Sequence, residues 1–217
     1  MAKIDDLVDA IQVFTQNSIR IGGRWVTYID PFRIKEEPHD ADYILITHDH
    51  YDHFSPEDIA KVVKDGTRIV VPEKMKAQAE EVVPEGGKLY TVIPGMLKEM
   101  GDWIIETVPA YNTLKPFHPK KNGWVGYILH IGDSKIYIAG DTDMTKENQK
   151  ISCDIALVPI GGTYTMDARK AAELINVIRP NVAIPTHYGA LVGSEEDADV
   201  FRANVHKSIR VVIKKQY

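Results

Sequence analysis

Tyr43-Ile44-Leu45-Ile46-Thr47-His48-Asp49-His50-Tyr51-Asp52-His53-Phe54-Ser55-Pro56-Glu57-Asp58 is the stretch from which the rest of this chain is read. Its first four residues form a short apolar run, the pattern of a strand buried on both faces. Three histidines and two aspartates then fall between Thr47 and His53. Neutral imidazole and ionised carboxylate are the side chains that suit zinc and related divalent ions. So many polar groups at the end of a buried strand need partners, and a metal supplies them at once. Ser55 is a good helix N-cap, Pro56 suits the first helical position, and Glu57 and Asp58 favour the positive end of a helix dipole. The stretch therefore reads as strand, ligand loop, helix.

Two later segments repeat the motif of an apolar strand running into polar residues. Ile136-Tyr137-Ile138-Ala139 leads to Gly140-Asp141-Thr142-Asp143, and Val182-Ala183-Ile184-Pro185 leads to Thr186-His187-Tyr188-Gly189. Alone, Asp141 reads equally well as a turn residue and His187 as a hydrogen-bonded loop histidine. Together with the first stretch they can converge, because residues that follow several strand ends share one edge of a sheet. Residues 19–21 and 25–29 read as strands joined at Gly22-Gly23. Further strands are expected over 68–71, 88–93, 103–108, 126–131, 135–139, 155–158, 182–184 and 210–213. Helices are expected from Ser55, over 73–81, 167–179 and 195–206. In the third of these Ala171, Leu174, Ile175 and Ile178 share one face, and Arg179-Pro180 ends it. Strands interspersed with helices over 217 residues argue a single layered α/β (α+β) domain spanning 1–217.

His48-Asp49-His50-Tyr51-Asp52-His53 resembles the HxHxDH signature of the metallo-β-lactamase superfamily. The 155–162 segment, with Ala156-Leu157-Val158-Pro159-Ile160-Gly161-Gly162, is similar to the small bacterial and archaeal Zn-dependent hydrolases of that superfamily, and the likeness covers nearly the whole chain. The resemblance implies a four-layer αββα sandwich. It implies that His48 and His50 serve a first metal, that Asp52 and His53 serve a second, that Asp141 bridges them and that His187 is the last ligand. Two Zn²⁺ ions are the implied cofactor, and manganese, iron or nickel also suit such mixed ligands. Asp52 would orient the nucleophile as well as hold metal. Tyr188 is a candidate to stabilise a developing oxyanion, with aromatic packing as the alternative. The Asp52-His53 pair separates the chain from the flavodiiron branch, in which a glutamate replaces the second histidine of the motif.

One position departs from the pattern. Many members carry a further first-metal histidine in the loop after the middle strand, where this chain reads Pro109-Ala110-Tyr111-Asn112-Thr113. Three outcomes stand open: Asn112 ligates weakly, His118 takes the place, or the first metal is poorly held. His118 lies in Lys115-Pro116-Phe117-His118-Pro119-Lys120, and two prolines limit the entropy lost on ordering such a loop. Residues 114–124 either border the pocket, with Lys115, Lys120 or Lys121 meeting an anionic substrate, or form a solvated basic loop. His39, His130 and His206 read as ordinary histidines.

Acidic residues number 31 against 26 basic, a formal net charge of -5, so the broad positive field of a non-specific nucleic-acid binder is missing. The single cysteine, Cys153, forms no intrachain disulfide, reads as a small buried residue and fits a reducing compartment. Met1-Ala2-Lys3-Ile4-Asp5-Asp6 has no apolar signal core, and no stretch approaches a membrane span; a cytoplasmic protein without a membrane partner is expected. The expected activity is hydrolysis of a small ester, lactone or phosphoester by metal-activated water. Two alternatives are a metal-binding sensor with little turnover, which the Asn112 departure supports, and a nuclease, which requires a basic groove beside the metals.

Overall fold

Two β-sheets stacked face to face, each backed by helices, carry the chain in the computed structural model, which describes residues 4–101 and 103–214. Of the N-terminal residues read for a leader, Met1, Ala2 and Lys3 lie outside the described residues. The first half runs α1 (Ile4–Ala10), β1 (Ile11–Val13), β2 (Ile19–Ile21), β3 (Thr27–Ile29), β4 (Ala41–Leu45), α2 (Pro56–Val62), β5 (Val63–Pro72), α3 (Lys76–Glu80) and β6 (Lys88–Val92). Its strands form one sheet in the order β1-β2-β3-β4-β5-β6. The second half runs β7 (Leu97–Glu99), β8 (Ile104–Pro109), β9 (Val125–Ile131), β10 (Ser134–Ile138), β11 (Ile155–Pro159), α4 (Ala168–Ile178), β12 (Val182–Thr186), α5 (Glu196–Asn204) and β13 (Arg210–Val211). They form a second sheet in the order β13-β12-β11-β10-β9-β8-β7. Each sheet is mixed. β3 to β6 pair in parallel beside the antiparallel β1-β2-β3, and β10 to β13 pair in parallel beside the antiparallel β7 to β10.

Three apolar interfaces separate the four layers. Between the sheets lie Ile19, Leu45, Val70, Tyr127, Leu129, Ile136, Leu157 and Ile184. On the outer face of the first sheet, Ile44, Ile46, Ile69 and Val71 meet Ile59 and Val62 of α2 and Ala79 of α3. On that of the second, Ala156, Val158 and Ala183 meet Ala171, Leu174, Ile175 and Ile178 of α4 and Phe201 of α5. Burial on both faces explains why β4, β11 and β12 read as unbroken apolar runs. This is the αββα sandwich that the sequence resemblance implied.

The local signals act as read. Ser55 Oγ accepts from Asp58 N, with Pro56 in the first turn, and Asp167 caps α4 by accepting from Lys170 N at 2.8 Å. Arg179 closes α4 in the left-handed region, φ 49°, its N–H donating to Ile175 O. Short, weakly patterned elements escaped the reading: α1, β1 and β7 were not anticipated, and the 73–81 helix divides into a 3₁₀ turn, Glu73–Met75, and α3. The 25–29 strand begins at Thr27. Among the described residues no helix is long and apolar enough to cross a membrane.

Contacts between the sheets converge where β4 ends. Tyr127 Oη donates to Ile46 O at 2.6 Å, and Val125 N to Thr47 O at 3.2 Å. Between these donors sits Gly126, where a Cβ would lie 2.6 Å from Ala139 O and 2.8 Å from Ile138 O, both backbone atoms that cannot swing aside. Gly126→Ala is expected to destabilise the protein by about 1–3 kcal/mol. Urea unfolding should show a lower midpoint at an unchanged slope.

Candidate metal centre

The 47–53 loop begins one residue after β4 and carries its side chains to the edge of both sheets. His48 and His53 are fully buried, Asp52 nearly so, and His50 is half-buried. Gly140-Asp141, after β10, and His187, after β12, arrive at the same edge. His118 reaches it from the β8–β9 connection. Three groups result, each with ligand atoms within 4.8 Å of one another: His48, His50 and His118; His48, His53 and Asp141; and Asp52, His53 and His187.

Asp141 lies between the outer two groups and divides its oxygens. Oδ2 is 3.3 Å from His118 Nε2 and 4.0 Å from His48 Nε2, whereas Oδ1 is 3.4 Å from His53 Nε2 and 3.2 Å from His187 Nε2. Asp52 Oδ2 stands 3.6 Å from both His53 Nε2 and His187 Nε2, and those two nitrogens are 3.2 Å apart.

A buried carboxylate just beyond β3 orders this arrangement. Asp30, fully buried with φ 46°, accepts from Asn17 Nδ2 at 2.8 Å, Thr47 N at 2.8 Å, Thr47 Oγ1 at 2.7 Å and His53 Nδ1 at 2.8 Å. A carboxylate only accepts, so His53 Nδ1 carries a proton and Nε2 faces the cluster. The single Thr47 hydroxyl proton goes to Asp30, so His48 Nδ1, 2.9 Å away, must donate to Thr47 Oγ1. That leaves His48 Nε2 as an acceptor, and it has no hydrogen-bond partner; neither do His118 Nε2 and Asp141 Oδ1.

Such orphaned buried atoms, gathered around one carboxylate, are what a metal site presents without its ion. Ligand atoms held about 2.0–2.1 Å from a tetrahedral centre stand about 3.3 Å from each other. The spacings among Asp52, His53 and His187 are close to that, and the donor set of imidazole and carboxylate is the one zinc-type ions take. The residues present fit a divalent ion.

Electrostatics follow the same geometry. Burial pushes the His48 and His50 imidazoles down, helped by their histidine neighbours His53 and His118 respectively. Burial opposes charge on Asp141 and Asp52 too, but His187 and His53 outweigh it, holding Asp141 well below the carboxylate range and Asp52 at about 2. For His187 burial is outweighed by Asp141 and Asp52, which raise it to about 9; Asp141 and Asp30 likewise raise His53.

Of the three outcomes left open for the first group, the structure brings His118 in. Its backbone adopts φ 56°, its carbonyl accepts from Asn112 N at 2.9 Å, and the Trp124 ring packs against it, His48 and His50 at 4.9–5.3 Å. Asn112 stands behind it, its Nδ2 donating to Tyr164 O at 2.7 Å, and does not line the pocket. Tyr188, a candidate for the oxyanion, is placed elsewhere: it packs with Val158, Ala198 and Phe201 and lines a different cavity with Glu195 and Asp199. The three loop lysines likewise miss the pocket. Lys115 pairs with Asp143 at 2.6 Å and donates to Thr165 O, Lys120 pairs with Glu147 at 2.6 Å over the Tyr111 ring, and Lys121 is exposed outside the lining.

Gln16 is a site residue that the sequence did not signal. It is fully buried with φ 58°; its carbonyl accepts from His187 N at 2.9 Å, and its Nε2 is 3.3 Å from Asp52 Oδ2 and 3.2 Å from the His187 ring nitrogens. Only the polar run Thr15-Gln16-Asn17-Ser18 marked the turn that holds it.

Residues 10–187 match the family model described as a beta-lactamase superfamily domain. A UPF0173 metal-dependent hydrolase of Pyrobaculum arsenaticum is 34% identical over 178 residues, 79% of this chain and 76% of that one. Another, of Symbiobacterium thermophilum, is 32% identical over 200 residues, 86% of each. The crystal structure of a protein described as a metal-dependent hydrolase, from Parabacteroides distasonis, superposes with a TM-score of 0.79 at 29% identity, covering 95% of this chain and 93% of that one.

The raised His187 and depressed Asp52 set the pH dependence of the metal-free protein. His187 contributes stability fully below its ordinary 6.5, and that contribution is lost as pH rises through about 9. Asp52 contributes above its ordinary 3.8 and loses that contribution as pH falls toward about 2. Chelator-treated protein should therefore melt at progressively lower temperature from pH 6.5 upward, and His187→Gln should flatten that slope. A melting temperature that rises across this window would contradict the assignment.

Proposed function

This chain belongs to the metallo-β-lactamase superfamily and, within it, to the UPF0173 family of metal-dependent hydrolases, and from that premise we propose that it hydrolyses a small ester, lactone or phosphoester at a dinuclear, zinc-type centre. The observation that carries the reading is the divided Asp141 carboxylate, one oxygen toward His118 and His48, the other toward His53 and His187. A carboxylate so placed would hold two ions with one side chain. His48, His50 and His118 are assigned to the first ion, Asp52, His53 and His187 to the second, and Asp141 to both. Ions of this kind supply Lewis acidity and lower the pKa of water from 15.7 to about 7.

The chain's own residues provide the rest. Asp52, held ionised, is the acceptor through which the attacking water is oriented. Asp30 fixes His53 directly and His48 through Thr47, so neither imidazole turns away. The Trp124 wall keeps solvent from the back of the first three histidines. Cys153, the only cysteine, is partly buried and its thiol is pushed up to about 12 by burial and Asp154. It takes no part, and its unpaired state fits action in the reducing cytoplasm.

His118 in the first group removes the support that Asn112 lent to a sensor with a poorly held metal. Lys115 and Lys120 are paired with Asp143 and Glu147, and no lysine or arginine is among the described residues that line the pocket, which argues against a nuclease.

Elemental analysis of purified protein tests the reading. About two ions per chain are expected. Asp141→Ala should lose both, His118→Ala should keep about one, and Asn112→Ala should keep both with the first held more weakly. Absence of metal after reconstitution would overturn it. Asp30→Asn, which keeps shape but removes the charge behind His53, should weaken metal affinity about 10- to 100-fold in a chelator competition.

A further inference from the structure

The mouth of the metal pocket combines two features that together select a substrate. The first is apolar and exposed. Tyr51, Phe117, Tyr164 and Leu191 line a pocket of about 530 Å³ with the metal-centre residues, and each is among the large apolar side chains that the surface leaves open, Tyr51 at 69% and Phe117 at 45%. Phe117 and Tyr164 meet edge to face, centroids 4.8 Å apart at 82°, an arrangement that holds both rings as one shelf. Tyr51 in turn packs edge to face with Phe32, ring centroids 6.0 Å apart. A soluble surface rarely gathers its exposed aromatic side chains around one opening unless something apolar enters there.

The second feature is the charge of the wall. Its ionisable side chains are Asp49, Asp52 and Asp141 with His50, His118 and His187; among the described lining residues there is no lysine or arginine. Two lysines of the 114–124 loop are committed, Lys115 to Asp143 and Lys120 to Glu147. An anionic substrate would find no lysine or arginine in the wall and would pass the exposed Asp49 carboxylate. A neutral carbonyl compound meets no such penalty.

We infer that the substrate of this pocket is a neutral carboxylic ester or lactone bearing an aromatic group, the ring lying on the Phe117–Tyr164 shelf and the carbonyl facing the metal centre. The inference rests on the hydrolase reading and narrows it, setting phosphoesters aside. The reaction balances without a further reactant. The oxygen of water bonds to the carbonyl carbon, the bond from that carbon to the alkoxy oxygen breaks with its electron pair, and a proton from the water ends on the leaving alkoxide.

Metal-loaded full-length protein is assayed by acid release on methyl phenylacetate and methyl acetate, with bis(p-nitrophenyl) phosphate as the anionic comparison. The phenyl ester should be preferred over methyl acetate by about tenfold or more in kcat/KM, and the phosphodiester should be the poorest. Phe117→Ser and, separately, Tyr164→Ser should collapse the ratio between the two esters while metal content stays as in the parent. Equal use of both esters, preference for the phosphodiester, or a ratio that survives both substitutions overturns the inference. Binding of 2-phenylacetamide against acetamide, followed by calorimetry, separates the pocket from the chemistry. Tighter binding of the phenyl compound, lost in both variants, without turnover of any ester would sink the hydrolase reading and leave an aromatic neutral ligand. Equal, weak binding of the two amides would sink the inference itself. Sedimentation of parent and variants covers the remaining occupant: a dimer that dissociates on Phe117→Ser or Tyr164→Ser would make the shelf an interface between copies of the chain.

Discussion

One buried carboxylate sets the geometry on which the rest of the site depends. Asp30 is removed from water, and an ionised group in that position is tolerated only when it is fully hydrogen-bonded. It receives two side chains and a backbone amide from the 47–53 loop, and Asn17 from the β1–β2 connection. Those bonds satisfy Asp30 and at the same time decide which nitrogen of His48 and of His53 is protonated. The free nitrogens then point the same way, toward Asp141. A carboxylate behind an imidazole also raises its basicity, so the group that orders the loop tunes its histidines as well.

The position of the centre follows from how the two sheets are joined. His48 to His53 follow a strand of the first sheet, and Asp141 and His187 follow strands of the second. Neither sheet holds a complete set. The β4 end is therefore pinned across the interface by Tyr127 Oη and Val125 N, bonding to the carbonyls of Ile46 and Thr47. Gly126 between them lets the backbones approach as closely as this requires. The His187 backbone is tied back to the first sheet by the Gln16 carbonyl. The edge where Gly126 allows this close approach is thus the one where histidines and aspartates from both sheets meet within a few ångströms.

The 111–124 connection shows charge used for placement. Lys115 and Lys120 reach across to Asp143 and Glu147, residues just beyond Asp141, and so fasten the loop to the segment carrying Asp141. Held in this way, with Asn112 and Trp124 packed against it, His118 completes the first group of imidazoles. The lysines consequently leave the pocket wall acidic and aromatic, which is the basis for assigning it a neutral substrate.

Much of this protein was legible along the chain. The strand–ligand–helix order around His48-His53, the N-cap at Ser55, the amphipathic face of α4 and the strand ends before Asp141 and His187 are local patterns, set by side-chain periodicity and backbone chemistry within a few residues. The family resemblance added the sandwich and the expectation that these histidines and aspartates gather at one edge. Other features exist only after folding. Asp30 and Gln16 lie in turns whose sequences resemble any polar turn, and they matter because the 47–53 loop and His187 arrive beside them. Between Asn112 and His118 the sequence offered no decision, since both sit in one loop; the lysine anchors and the Trp124 packing bring His118 to the cluster. Tyr188 follows His187 directly, yet its side chain packs in the apolar layer with Ala198 and Phe201 of α5. Adjacency along a chain fixes a distance of a few ångströms between backbones, whereas convergence on a metal centre depends on the direction of side chains, and that direction is settled by packing between segments far apart in sequence.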